Sequence, residues 1–210
     1  MKKLIRFASM CTCAAALLVT PAIADEPAKP ATPSMDEKAM MDAWMEMAKL
    51  NENHKLLGSM VGTWEYKMQC WMGPEPKTTK GTAKHVAIMD GRFIHSEHDG
   101  EMLMPGPDGK DVTKPFHGAS VTGYDNVKGK FVSVWMDNMS TGFTLSEGTY
   151  DPASKTFSYT GEMSDPTNPE KKAKYRYTIV IKDNDHHTFT WYDIQNGQEM
   201  KTMEMEYTRK

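Results

Sequence analysis

From residue 62 onward, apolar and polar side chains alternate with a period of two. Trp64, Tyr66, Met68, Cys70 and Met72 share one side of an extended chain, and Glu65, Lys67 and Gln69 take the other, until Trp71 breaks the pattern. Successive side chains of a strand point to opposite faces, so this alternation marks a half-buried strand. The rhythm recurs at 131–137 (Phe131, Ser133, Trp135), 143–149 (Phe143, Leu145), 157–163 (Phe157, Tyr159, Met163) and 175–181 (Tyr175, Tyr177, Ile179, Ile181). It continues at 187–193 (His187, Phe189, Trp191) and 203–209 (Met203, Met205, Tyr207). Segments near 79–89, 91–98 and 115–124 also read as strands, with faces that the pattern leaves open.

Turn residues separate these runs: Asp125-Asn126-Val127-Lys128-Gly129, Asp151-Pro152-Ala153-Ser154, Asp183-Asn184-Asp185 and Gln195-Asn196-Gly197. Asp and Asn side chains bond their own backbone, and Gly supplies positive φ, so each cluster predicts a tight reversal. About ten short strands joined this way form a meander, and closing it into a barrel removes its exposed edges. Met104-Pro105-Gly106-Pro107-Asp108-Gly109 reads as a longer loop at one rim.

Upstream the spacing is helical. Met40, Met41, Trp44, Met45, Met47 and Ala48 share one broad face, and Ser34-x-x-Glu37 is a capping box. A helix is expected over 35–50. The prediction is an all-β domain, a single antiparallel up-and-down barrel of about ten strands over 51–210, preceded by one N-terminal amphipathic helix.

The first residues carry an address. Lys2, Lys3 and Arg6 precede an apolar run from Phe7 to Val19, and Ala22-Ile23-Ala24 has the form of a signal-peptidase site. The run is shorter than the roughly 20 residues a spanning helix needs. The reading is a signal peptide over 1–24, a Pro- and Ala-rich flexible leader over 25–34, and export to the periplasm or medium. No later stretch is apolar enough to span a membrane. Cleavage would remove Cys11 and Cys13, leaving Cys70 without an internal disulfide partner, so the core must hold by burial. It would also take Lys and Arg from 25 to 22 against 28 Asp and Glu, a net charge of −6 that disfavours nucleic acid. Oligomeric state is not legible.

Gly62-x-Trp64 on the first strand and Arg209 on the last resemble the closing latch of calycin-type barrels. The order His54-Lys55, Gly62-Thr63-Trp64, Gly91-Arg92-Phe93, Gly123-Tyr124-Asp125, Trp135-x-Asp137, Glu147-Gly148 and Tyr207-x-Arg209 resembles the bacterial family known as domain of unknown function 1579. The resemblance covers about residues 50 to 209. It implies a lipocalin-like barrel and no particular activity. Parity places Arg209 over the Trp64 indole, a cation–π contact that would plug one barrel end.

Three chemistries compete for the interior. Trp135-x-Asp137, Leu145-x-Glu147 and Trp191-x-Asp193 each set a carboxylate on the face of an apolar residue two before it, and Phe93-x-His95-x-Glu97 is similar. Inward acids would have raised pKa values and could serve a hydrolase or isomerase; acids at a wet rim would not. Methionine is the compositional outlier, with 19 in the chain. Met45-x-Met47, Met68-x-Cys70-x-Met72, Met102-x-Met104 and Met200-x-x-Met203-x-Met205 could present soft sulfurs to Cu(I), although packing accounts for most of them. A heme barrel would need one inward histidine, which His187, His95 or His117 could supply. The histidines lack zinc-site spacing, and no nucleophile elbow, phosphate loop or metalloprotease helix is present.

The expectation is therefore a binding module, more binder than enzyme, with no cofactor and no metal site. Its ligand would be a small, largely apolar molecule, a lipid or hydrophobic metabolite. Trp64, Tyr66, Met68, Trp135, Phe143, Tyr177 and Trp191 are expected to line its cavity, with Asp137 and Glu147 as inward polar contacts.

Overall fold

The computed structural model describes residues 36–210 except 72, 74, 166 and 167. The signal segment, the leader and Ser34 of the capping box lie outside the described residues. The chain divides into two units, Met1–Met40 and Met41–Lys210. Of the first, residues 36–40 are described and begin helix α1 (Glu37–Met47).

Ten strands follow in the second unit: β1 (Gly62–Cys70), β2 (Lys77–Ile88), β3 (Phe93–Pro105), β4 (Asp111–Asp125), β5 (Lys130–Asp137), β6 (Thr144–Asp151), β7 (Thr156–Asp165), β8 (Asn168–Ile181), β9 (His186–Gln195) and β10 (Gln198–Arg209). Each pairs antiparallel with its neighbours in sequence, and β1 pairs with β10 to close the barrel. The closing register sets Trp64 opposite Arg209, Tyr66 opposite Tyr207 and Met68 opposite Met205. This register keeps the two apolar faces together inside, since a slip of one residue would turn every side chain outward.

The turns form for the reasons their residues suggest. Asp125 Oδ1 accepts from the backbone N–H groups of Val127 and Lys128, and Gly129 closes the turn at φ 64°. Asn196 and Gly197 both adopt positive φ and join β9 to β10 as a two-residue hairpin. The expected loop at 104–109 is shorter than its composition suggests. Met104 and Pro105 stay in β3, paired with Val112 and Asp111, and the reversal is confined to 106–110.

The helix expected over 35–50 is present as α1, and a second, short helix that the pattern did not predict, α2 (Glu52–Gly58), follows it. Asn51 caps α2: its side chain accepts from the Asn53 N–H, and its own N–H donates to His54 Nδ1 at 3.1 Å. No residue of α1 is buried, and Trp44 and Met45 are each 64% exposed. The buried helical residues are His54 and Leu57, in α2. Two turns are too few for a periodic signal, so tertiary burial of Leu57 supports α2 where local pattern does not.

Two apolar clusters fill much of the interior. One gathers Leu57, Ile94, Phe131, Phe157, Tyr159, Tyr175 and Tyr177. The other gathers Trp64, Tyr66, Met68, Cys70, Ala83, Met205 and Tyr207 around the β1–β10 seam.

Candidate functional site

The inward residues leave a cavity of about 320 Å³ inside the barrel. Leu57 and Met60, at and just after α2, border one end, together with the buried side chains of Ile94 and Phe157. Toward the other end it is bordered by Met102, Phe116, Asp137 and Met163, all half-buried. The end bordered by Leu57 is the more buried, and exposure rises toward the opposite rim.

The walls differ in chemistry. On β8 and β9, Tyr177, Phe189 and Trp191 form an aromatic wall: Tyr177 lies 5.2 Å from Phe189 and 5.9 Å from Trp191 between ring centroids, and Trp191 is 4.3 Å from Tyr175. On β3 to β6, half of the residues that border the cavity are small and hydroxylic (Ser96, Ser120, Thr122, Ser133, Thr144 and Ser146), set among larger ones such as Ile94, His98 and Trp135. Thr122 and Ser133 share a hydrogen bond of 2.9 Å, as do Ser146 and the Tyr175 hydroxyl.

Large rings fit because glycines stand beneath them. A Cβ on Gly81 or Gly100 would collide with the Tyr66 hydroxyl, and one on Gly161 with that of Tyr175. Tyr66 therefore lies against β2 and β3, its hydroxyl donating to the Asp99 carbonyl at 3.3 Å. Gly118 likewise makes room for the Trp135 indole.

Three histidines stand in the cavity wall. His85 Nδ1 donates to the Met60 carbonyl at 3.2 Å, which leaves Nε2 as a bare acceptor, buried without a partner among the described residues. His98 Nε2 bonds the Tyr207 hydroxyl at 3.1 Å, and its Nδ1 is also unpartnered. His187 stacks on Tyr207 at 4.3 Å and meets the Trp64 ring edge-on at 4.5 Å. Burial, which disfavours the imidazolium, pushes His85 down to about 4, with the Arg209 charge adding to the shift. His98 falls to about 3 through burial and the proximity of His85. His187 falls to about 3 through burial, His85, His98 and Arg209. All three are neutral at neutral pH. Burial also lifts the Tyr66 phenol to about 12.

The expected site residues divide into three groups. Met68, Trp135, Asp137, Tyr177 and Trp191 border the cavity. Trp64 and Tyr66 point inward but are packed beneath other side chains and do not reach it. Phe143 and Glu147 are on the outside, contrary to expectation. Thr144 pairs with Trp135 and Ser146 with Ser133, so the even-numbered residues of β6 face inward. Phe143 and Leu145 are exposed, at 69% and 64%. Glu147 bonds Lys128 at 2.5 Å and Lys130 at 3.3 Å on the outer surface, where those lysines hold its carboxyl below the usual range. Apolar weight suggested the wrong face because the inward side of β6 must stay small beneath the rings of Tyr159 and Tyr175.

β3 has the same inversion. Ile94, Ser96 and His98 border the cavity, whereas Phe93, His95 and Glu97 take the other parity. His117 is exposed, its Nδ1 2.6 Å from Asp99 Oδ1. Of the histidines proposed as inward, His187 alone is so placed, and His85 and His98 join it. Asp137 and Asp193 accept from the Nε1–H groups of Trp135 and Trp191 at 2.7 and 2.9 Å. The Trp-x-Asp pairs are thus indole–carboxylate hydrogen bonds along a single strand.

Arg209 joins the two ends of the barrel sheet. Its guanidinium carbon is 4.1 Å from the Trp64 ring centroid, and it donates to the carbonyls of Val61 (2.7 Å), Asn184 (2.9 Å) and Ser59 (3.2 Å). Gly62, at φ 149°, leaves the space that Arg209 Nη1 occupies; a Cβ there would overlap it. The Gly-x-Trp motif thus serves the arginine at the other end of the domain.

The methionines are divided. Met68, Met203 and Met205 pack with Cys70 in the seam cluster, Met102 borders the cavity, and Met45 and Met47 are exposed on α1. Met72 lies outside the described residues. Among the described residues, no three His, Cys, Asp or Glu side chains are arranged to hold a metal ion.

Residues 49–209 match a family described as a protein of unknown function, DUF1579. The chain belongs to the DUF1579 family. No curated protein matches it. Among solved structures it is similar to a redesigned β-barrel at 12% identity, over 74% of this chain and 95% of that one, with a TM-score of 0.32.

Proposed function

We propose that this DUF1579 protein is an exported, lipocalin-like binding module whose barrel interior holds a small, largely apolar molecule. The observation that carries the reading is the cavity of about 320 Å³, at the lower end of the roughly 300–1,000 Å³ typical of small-molecule sites. A barrel serving only as a structural element gains by filling its interior, because each void forfeits dispersion contacts. Here inward serines and threonines keep space open where larger apolar residues would fill it. Export rests on the basic start, the apolar run and Ala22-Ile23-Ala24.

The enzyme reading has lost its carboxylate pair, since Glu147 is outside and Asp137 is engaged by Trp135 and by the Met139 N–H. Against the copper reading, Met68, Met203 and Met205 pack with Cys70 in the seam cluster. Native mass spectrometry of protein purified from its own compartment tests the proposal. A retained organic molecule of small mass is expected. Copper at stoichiometric occupancy, or a bare protein that also fails to bind apolar fluorescent probes, would overturn it. N-terminal sequencing should begin at Asp25.

A further inference from the structure

We infer that the ligand is a flat, ring-containing molecule carrying hydrogen-bonding groups along one edge, such as a phenolic or quinoid compound, and not a simple acyl chain. The inference rests on the barrel being a binding module and names the chemistry of its occupant.

The two long walls of the cavity are unlike. Tyr177, Phe189 and Trp191 offer ring surface from β8 and β9, and the hydroxyl-bearing strands β3 to β6 stand across the barrel from them, β4 lying five strands from β9 in either direction round the wall. Hydrogen-bond register orders the hydroxyls into two rows. Thr122, Ser133 and Ser146 are successive partners across β4, β5 and β6, and they spend their hydroxyls on one another and on Tyr175. Ser96, Ser120, Trp135 and Thr144 form the adjacent row. Among the described residues the hydroxyls of Ser96, Ser120 and Thr144 have no hydrogen-bond partner, although all three border the cavity.

Ser96 is buried and Ser120 and Thr144 are half-buried, so these hydroxyls face the cavity without a protein partner, and nothing in the packing demands them there, since alanine or valine would fit the same wall. Adjacent strands are about 4.8 Å apart, so the three unpaired hydroxyls span roughly three strand spacings, with the Trp135 indole standing between Ser120 and Thr144. An acyl chain has one polar end and would leave most of that row unsatisfied. A ring system with substituents along one edge meets it, while its opposite edge and faces meet the aromatic wall, which favours offset or edge-on ring contacts.

The test compares three probes by calorimetry on the mature protein: a naphthalenediol with both hydroxyls on one edge, naphthalene, and decanoic acid. The diol is expected to bind about tenfold or more tighter than naphthalene, the scale of one or two net hydrogen bonds. Changing Ser96→Ala, Ser120→Ala and Thr144→Val together should abolish that preference while leaving naphthalene binding in place. If the triple variant does not fold, Ser120→Ala alone should reduce the preference severalfold. Decanoic acid or naphthalene binding as tightly as the diol, with no change in the variants, would overturn the inference yet keep the binding module. Failure of all three probes would overturn both.

Discussion

At the scale of single residues, Arg209 carries more than a terminal position suggests. It stacks on Trp64 and satisfies carbonyls from the α2–β1 connection and the β8–β9 turn. Arg209→Ala should cost about 1–3 kcal/mol, combining the cation–π contact with net hydrogen bonds. Urea unfolding would read this as a lowered midpoint at unchanged slope. Gly62→Ala should destabilise comparably, since the new methyl displaces the guanidinium. The three interior histidines predict a pH dependence. In the unfolded chain they titrate near 6.5, and in the barrel only at about 3 to 4. Their depressed values mean that stability is full above about pH 6.5 and is lost as pH falls toward 3, because the unfolded chain takes up protons first. Urea midpoints measured from pH 7 to pH 4 should decline, and more gently in His187→Phe. A flat profile over that range would show that the histidines are not held neutral by burial.

At the scale of elements, legibility tracked how firmly local pattern reports burial. β1, β7, β8, β9 and β10 alternate large apolar and polar residues, and their inward faces were readable from residues such as Tyr66, Tyr159 and Trp191. β6 misled because its inward face is Thr144, Ser146 and Gly148, while Phe143 and Leu145 are outside. β3, whose faces the pattern left open, likewise turns Phe93 away from the cavity. In β6, neighbouring aromatic rings required small inward residues, and that demand arises across strands, beyond the reach of one segment's periodicity. The hydroxyl rows had a faint signal in Ser120-x-Thr122 and Thr144-x-Ser146, small residues at period two, visible only once the faces were known. α2 illustrates tertiary support. Leu57→Ala should cost about 2–4 kcal/mol, as for other buried leucines, and enlarge the cavity at its closed end. Trp44→Ala and Met45→Ala should each leave the melting temperature nearly unchanged, since α1 buries none of its side chains.

At the scale of the whole molecule, the barrel is a sequence of local pairings with one exception. Nine of its ten interfaces join strands adjacent in the chain, and the tenth joins β1 to β10. A hairpin closes a short loop at little entropic cost, whereas Trp64 and Arg209 must meet across nearly the whole domain. The meander can therefore assemble progressively, and the seam is expected to form late, after the folding barrier has been crossed. A contact absent from the transition state acts on unfolding and hardly on refolding. Arg209→Ala should accordingly steepen escape from the native state, moving the unfolding arm of the chevron while leaving the refolding arm in place. The latch would then act as a kinetic clasp, setting how long a barrel stays shut once closed, since an opened sheet would expose two unpaired edges to its neighbours.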